Sequence, residues 1–347
     1  MEKYLPIIYV RGYAGSQGAV ESTVDRPYYG FNIGSTRVRT GPDGAPDFFI
    51  FESPLVRLIK DHGYSDLFAR IDNDGAVELL NGEDEMYESG GFPVRSLWIF
   101  RYYDRTSERA GDGTRDAIET LGENLGCLLD YVLEQTGAER VHLVAHSMGG
   151  LICRSLIQRV LKEEAAKKID RLFTYATPHR GIHFRRGLGF LTGVRDLLGL
   201  NDSDTFGPER MREFLGFSGD WDQHRLNEIG RHFPAQLVFS LIGTNHTDYN
   251  LARLAVGPGS DGLVQMDHAY VKGSSRAFVY RSHSGPLGIV NSEEGYQNLQ
   301  RFLFGDTSVC IDLENVRLKK SLRSDDDLRF LLIETTVLIR GEQIVMT

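Results

Sequence analysis

"RVHLVAHSMGGLICRSL", residues 140–156, is the stretch on which the fold turns. Its first half is an apolar run suited to a strand buried on both faces, its second half reads as a helix, and Ser147 stands at the join. A serine hydroxyl is a poor nucleophile at neutral pH, so it needs a fixed, exposed position and an adjacent base. A sharp strand-to-helix turn supplies the position: Oγ projects above the sheet edge while small neighbours leave room for the bend. "AHSMGG" has that form, with Ala145 where the usual signature has its first glycine. The helix after the serine directs backbone N–H groups and partial positive charge toward a developing oxyanion. Serine is also a common helix cap, and capping is the structural alternative for Ser147.

Outward from this join, strand and helix patterns alternate. "YLPIIYV" (4–10) reads as a buried strand ending in the glycine-rich turn "RGYAGS". Residues 12–95 read as a long irregular insert with one short helix in "SPLVRLIKDHGY". "SLWIFRYYD" (96–104) predicts the second strand, and Ile118, Leu121, Leu125, Leu128, Leu129 and Val132 fall at helical spacing before Gly137. "IDRLFTYATPHRG", "AQLVFSLIG" and "SRAFVYRSH" supply further strands, and "SEEGYQNLQRFLF" a closing helix. Short connections in this rhythm predict an α/β fold, a mostly parallel sheet with helices on both faces. After Gly305 the composition turns strand-like around the polar "KKSLRSDDD". The expected organisation is a main domain over 1–305 with insertions at 12–95 and 181–235, then a small β-rich appendage over 306–347 that stops in mid-pattern, as a truncated one would.

Composition bounds the function classes. The chain has 347 residues, 41% hydrophobic and 25% charged, as ordinary globular proteins do, and its formal charge is 39 − 48 = −9. That balance argues against a nucleic-acid footprint. Cys127, Cys153 and Cys310 lack metal-ligand spacing, so neither a metal site nor a disulfide framework is expected, and no cofactor motif stands out. The N-terminus lacks the pattern of a secretory leader, which makes the cytoplasm the default expectation.

"AHSMGG", with "YATPHRG" and "GSDGLV", resembles the α/β-hydrolase superfamily over roughly residues 4–305. The resemblance is to its lipase-like branch, which includes bacterial lipases, GPI-inositol deacylase-like proteins and lecithin:cholesterol acyltransferase-like proteins. It implies a chain order of nucleophile, acid, histidine. His283, in the loop "RSHSGPLG" after a strand, then becomes the base, with His268 in "QMDHAY" as its main rival. Asp261 in "GPGSDGLVQ" becomes the acid, with Asp248 and Asp267 as weaker alternatives. The oxyanion donors implied are the backbone N–H of Met148, which follows the nucleophile, and that of Tyr13 in the loop after the first strand. Arg11 precedes Gly12 where the family has histidine, which puts that loop's hydrogen bonding in question. His146 is read as ordering the elbow, and His179 and Arg180 as rim or loop residues.

Residues 181–235 occupy the place of a lid. Phe184, Leu188, Leu191, Val194 and Leu198 recur at helical intervals, a stripe suited to an acyl pocket, a lipid interface or ordinary core packing. The expected function is a metal-independent serine hydrolase of carboxylic esters with an apolar acyl group. An acyltransferase or phospholipase using the same residues is the near alternative, and a catalytically silent binding module with 306–347 contacting a protein partner the distant one.

Overall fold

The structure is a computed structural model and describes residues 4–40, 44–72, 75–79, 91–182, 206–217, 222–249, 256–306, 314–315, 337–338 and 345–346. Its strands are β1 (Ile7–Val10), β2 (Ser35–Thr40), β3 (Pro46–Phe51), β4 (Ser65–Ile71), β5 (Val77–Leu79), β6 (Ser96–Phe100), β7 (Val141–His146), β8 (Ile169–Tyr175), β9 (Val238–Gly243) and β10 (Ser275–Val279). Eight of them make one sheet in the order β10-β9-β8-β7-β1-β6-β4-β5, parallel except where β5 returns against β4. The chain enters at the centre, fills one side with β4, β5 and β6, then winds out on the other through β7 to β10. This reversal opens a crevice at the carboxyl ends of β1 and β7, where ligands of open α/β sheets bind.

Burial explains why the central strands read as unbroken apolar runs. Ile7, Ile8, Tyr9 and Val10 are all fully buried, and β6 is buried along its length, so both faces of the sheet centre are covered. The helix Ile118–Thr136 buries Leu121, Leu125, Leu128, Leu129 and Val132, each contributing roughly 1.5–3 kcal/mol. It ends where predicted, on Gly137 at φ 66°, whose N–H caps the Leu133 carbonyl. The helix Glu293–Phe304 is capped by Ser292, whose Oγ accepts from Gly295 N–H at 3.0 Å.

The structure corrects two readings. Residues 12–95 are not an irregular insert: they hold the helices Gln17–Val24 and Pro54–His62, the β2–β3 hairpin, and two strands of the main sheet. β4 and β5 carry Asp66, Arg70 and Glu78, and such alternation is weak in short strands near a sheet edge. The second strand stops at Phe100 rather than Asp104, and Tyr103–Thr106 is a helical turn.

Of residues 181–235, the described part contains the helix Pro208–Phe214, with Phe206, Met211, Phe214 and Phe233 buried in the core. The apolar stripe Phe184 to Leu198 lies outside the described residues. Residues Thr307–Thr347 form a second unit, in which the described strands Val337–Leu338 and Val345–Met346 pair antiparallel. No helix among the described residues is long and apolar enough to cross a membrane.

Candidate active site

β7 delivers the chain to Ser147, the turn residue, at φ 55° and ψ −126°. A non-glycine residue there stores strain on the order of 1–3 kcal/mol. Ser147 N–H donates to the Tyr175 carbonyl at 2.9 Å, which ties the bend to β8. The side chain makes no capping hydrogen bond to the helix Met148–Ser155, so capping does not account for this serine. Its Oγ lies 2.9 Å from His283 Nε2 instead.

Small residues around the elbow answer to close contacts. A Cβ on Gly12 would lie 2.7 Å from Ser147 Cβ, and one on Gly149 would lie 2.2 Å from the Val10 carbonyl oxygen. The loop after β1 and the start of the helix are thus pressed onto the bend itself. Ala145 lies within β7, fully buried and paired with Val10 and Thr174, where its methyl is accommodated.

His283 Nδ1 lies 2.8 Å from Asp261 Oδ2. Asp261 Oδ1 accepts from Leu263 N–H at 2.9 Å and Val264 N–H at 2.7 Å, and its carbonyl accepts from His283 N–H at 2.9 Å. A buried carboxylate so held takes the proton on Nδ1 as its donor, which leaves the Nε2 lone pair facing the serine hydroxyl. His146 Nε2 donates to the His283 carbonyl at 2.9 Å, so this histidine positions another. Burial, reinforced by the neighbouring His283, pushes the His146 pKa down to about 3, which keeps the ring neutral.

The loop after β1 is pinned by two tyrosines that the strand reading of 96–104 had absorbed. Tyr102 Oη donates to the carbonyls of Arg11 at 3.0 Å and Gly12 at 3.1 Å; Tyr103 Oη donates to Gly12 at 3.2 Å and accepts from Ala14 N–H at 2.6 Å. Because a trans peptide sets its C=O and N–H on opposite sides, holding the Gly12 carbonyl toward the tyrosines turns the Tyr13 N–H away from them. Met148 is the first residue of its helix, where the N–H has no intrahelical partner. Ser147, His283, Gly12 and Tyr13 line a cleft of about 540 Å³, closed on its apolar side by Ile182, Phe206 and Leu263.

The rival residues lie elsewhere. His268 is buried with Nδ1 3.1 Å from the Gly181 carbonyl, Asp267 is exposed, and Asp248 accepts from Asn245. His179 is buried beside Thr174 and held neutral by desolvation and then by Arg154, while Arg180 meets His224. No group of His, Cys, Asp and Glu among the described residues is arranged to hold a metal ion.

Sheet order, elbow and crevice give the chain the α/β-hydrolase fold. Residues 93–207 match the family model described as "Putative serine esterase (DUF676)", a span that holds Ser147 but neither Asp261 nor His283. The overall structure is loosely similar to the product of gene lin2722 from Listeria innocua, at 11% identity over 88% of this chain and 96% of that one, TM-score 0.47. Bacillus licheniformis lipase BlEst2 in its mature form gives 15% identity over 88% and 94%, TM-score 0.44. Legionella pneumophila phospholipase PlaB gives 14% over 86% and 60%, TM-score 0.47. Likenesses this distant transfer no substrate.

Proposed function

We propose that the chain hydrolyses carboxylic esters through an acyl-Ser147 intermediate, with His283 as general base and acid and Asp261 holding its tautomer. The observation that carries this reading is the unbroken hydrogen-bond chain from Asp261 through His283 to Ser147 Oγ at the wall of a cleft. In the first step Ser147 Oγ bonds to the carbonyl carbon, its proton passes to His283 Nε2, and the carbonyl electron pair moves onto oxygen. The backbone N–H groups of Tyr13 and Met148 are the donors for that oxyanion, a role in which losing one donor typically costs roughly 10²–10³ in turnover. Collapse breaks the ester C–O bond, and Nε2 returns the proton to the departing alcohol. Water then repeats the sequence on the acyl-enzyme. The apolar lining by Ile182, Phe206 and Leu263 supports an apolar acyl group.

The test is covalent labelling with a fluorophosphonate, together with turnover of short- and long-chain p-nitrophenyl esters, in the parent, Ser147→Ala and His283→Ala proteins. Labelling and ester release are expected to vanish in Ser147→Ala and to fall steeply in His283→Ala. Undiminished labelling of Ser147→Ala places the nucleophile elsewhere. A parent without Ser147-dependent release from any ester favours a binding module.

A further inference from the structure

The cleft that holds Ser147 has a charge pattern at odds with the molecule around it. The chain is acidic, at a formal −9, yet among the described residues lining the cleft there is no aspartate or glutamate, and there are two arginines, Arg11 and Arg26. Asp261 stands behind His283, and its charge is committed to the imidazole.

Neither arginine is neutralised by a described carboxylate, and the backbone of each is fixed. Several described arginines spend their charge on a carboxylate: Arg101 on Asp104, Arg140 on Asp170, Arg210 on Glu119, Arg281 on Glu294. Neither Arg11 nor Arg26 has such a partner among the described residues. Arg11 Nη1 donates to the Tyr29 carbonyl, while Nε is buried with no acceptor. A buried donor left unpaired is costly, and this one belongs to a residue that lines the cleft. Arg26 is exposed at its side chain, but its backbone is fixed: its N–H donates to Thr23, and its carbonyl accepts from Tyr29 N–H at 3.0 Å. Since Arg11 grips Tyr29 and the Tyr29 N–H grips the Arg26 carbonyl, one short turn places both residues at the same wall. Gly12, whose Cα packs on Ser147, is the next residue after Arg11, so this wall adjoins the elbow.

We propose that Arg11 and Arg26 form an oxyanion-recognition subsite, and that the substrates are esters carrying a carboxylate or phosphate group on the part of the molecule that does not react. This rests on the hydrolase reading and narrows its substrate class. Guanidinium is suited to the task because its fixed fork of donors matches carboxylate and phosphate geometry, and the acidic exterior leaves the cleft as the favoured place for an anion.

The experiment uses three p-nitrophenyl esters of equal chain length: hexanoate, the adipate half-ester, and 6-phosphonohexanoate. The ratio of kcat/KM, anionic over neutral, is read in the parent, Arg26→Gln and Arg11→Gln. The parent should favour at least one anionic ester by about tenfold or more, a preference that shrinks as salt is added. In Arg26→Gln the ratio should fall at least fivefold, mainly through KM, with Arg26→Lys recovering part of it. Whichever anionic ester is preferred identifies the oxyanion. A parent ratio near or below one, or a ratio unmoved by both variants, overturns the subsite while leaving the hydrolase reading intact. If the parent cleaves no ester, the hydrolase reading fails by itself. The subsite is then decided by titration calorimetry of hexyl phosphate into Ser147→Ala and Ser147→Ala/Arg26→Gln: a loss of affinity of tenfold supports it, and equal affinity overturns it. Arg11→Gln tests folding as well as binding, because Arg11 holds the Tyr29 turn; Arg26 makes no such side-chain contact, so its variants carry the decision.

Discussion

Ser147 combines a strained backbone with a hydroxyl committed to His283. Glycine relieves such strain, so Ser147→Gly should be more stable than Ser147→Ala by about 1 kcal/mol while being equally inactive, as chemical denaturation would report. Equal stabilities would mean that the bend is relaxed in solution. Asp261→Asn keeps the shape but offers Nδ1 an amide in place of a carboxylate, and kcat should fall by about 10⁴ with little change in Tm. A drop of less than tenfold would remove Asp261 from the proposed relay. That Ser147, Asp261 and His283 would come together was legible from their glycine-marked loops after apolar runs and from the chain order that the hydrolase resemblance implies. Tyr102 and Tyr103 were not, since a tyrosine pair after a strand reads as more strand. What they do is donate to carbonyls nearly a hundred residues away, and no local pattern encodes that.

Elements read well where both faces are buried and poorly where one is not. β1, β7 and the helix Ile118–Thr136 announce themselves by composition and period; β4 and β5, near the edge and salted with charges, do not. One buried cation joins several elements. Arg154, fully buried in the helix after the elbow, donates to the carbonyls of His179, Leu226 and Glu228 and to Gln158. Desolvation lowers its pKa to about 9, so it stays charged at neutral pH. Arg154→Met would orphan three main-chain acceptors, and the cost should reach at least about 3 kcal/mol by denaturant titration. A loss below about 1 kcal/mol would show that these loops find other partners. Arg154→Lys should recover little, because an ammonium cannot span the same fork.

At the scale of the whole molecule, three buried histidines make the fold sensitive to acid. Burial is the main cause in each: it lowers His142 and His146 to about 3 and His179 well below its ordinary value of 6.5. Arg171 and Arg140 add to the effect at His142; Asp170 lies 3.6 Å from that ring but is bound to Arg140 at 2.7 Å, too committed to hold a proton there. The unfolded chain takes up protons below 6.5 and the folded one does not, so stability is full above pH 6.5 and declines as pH falls toward 3. Tm should therefore drop between pH 7.5 and 5, and His142→Leu, which also removes two unpaired ring nitrogens, should flatten that slope. An unchanged slope would put the acid sensitivity elsewhere. Ser147 and His283 are 136 residues apart and meet only because β7, β8, β9 and β10 lie side by side. A nascent chain or proteolytic fragment that ends before β10 therefore holds Ser147 without His283. On the mechanism proposed above, ester cleavage would switch on only as β10 seats, which would make it a clock for tertiary assembly that stays silent in any collapsed state short of the finished sheet.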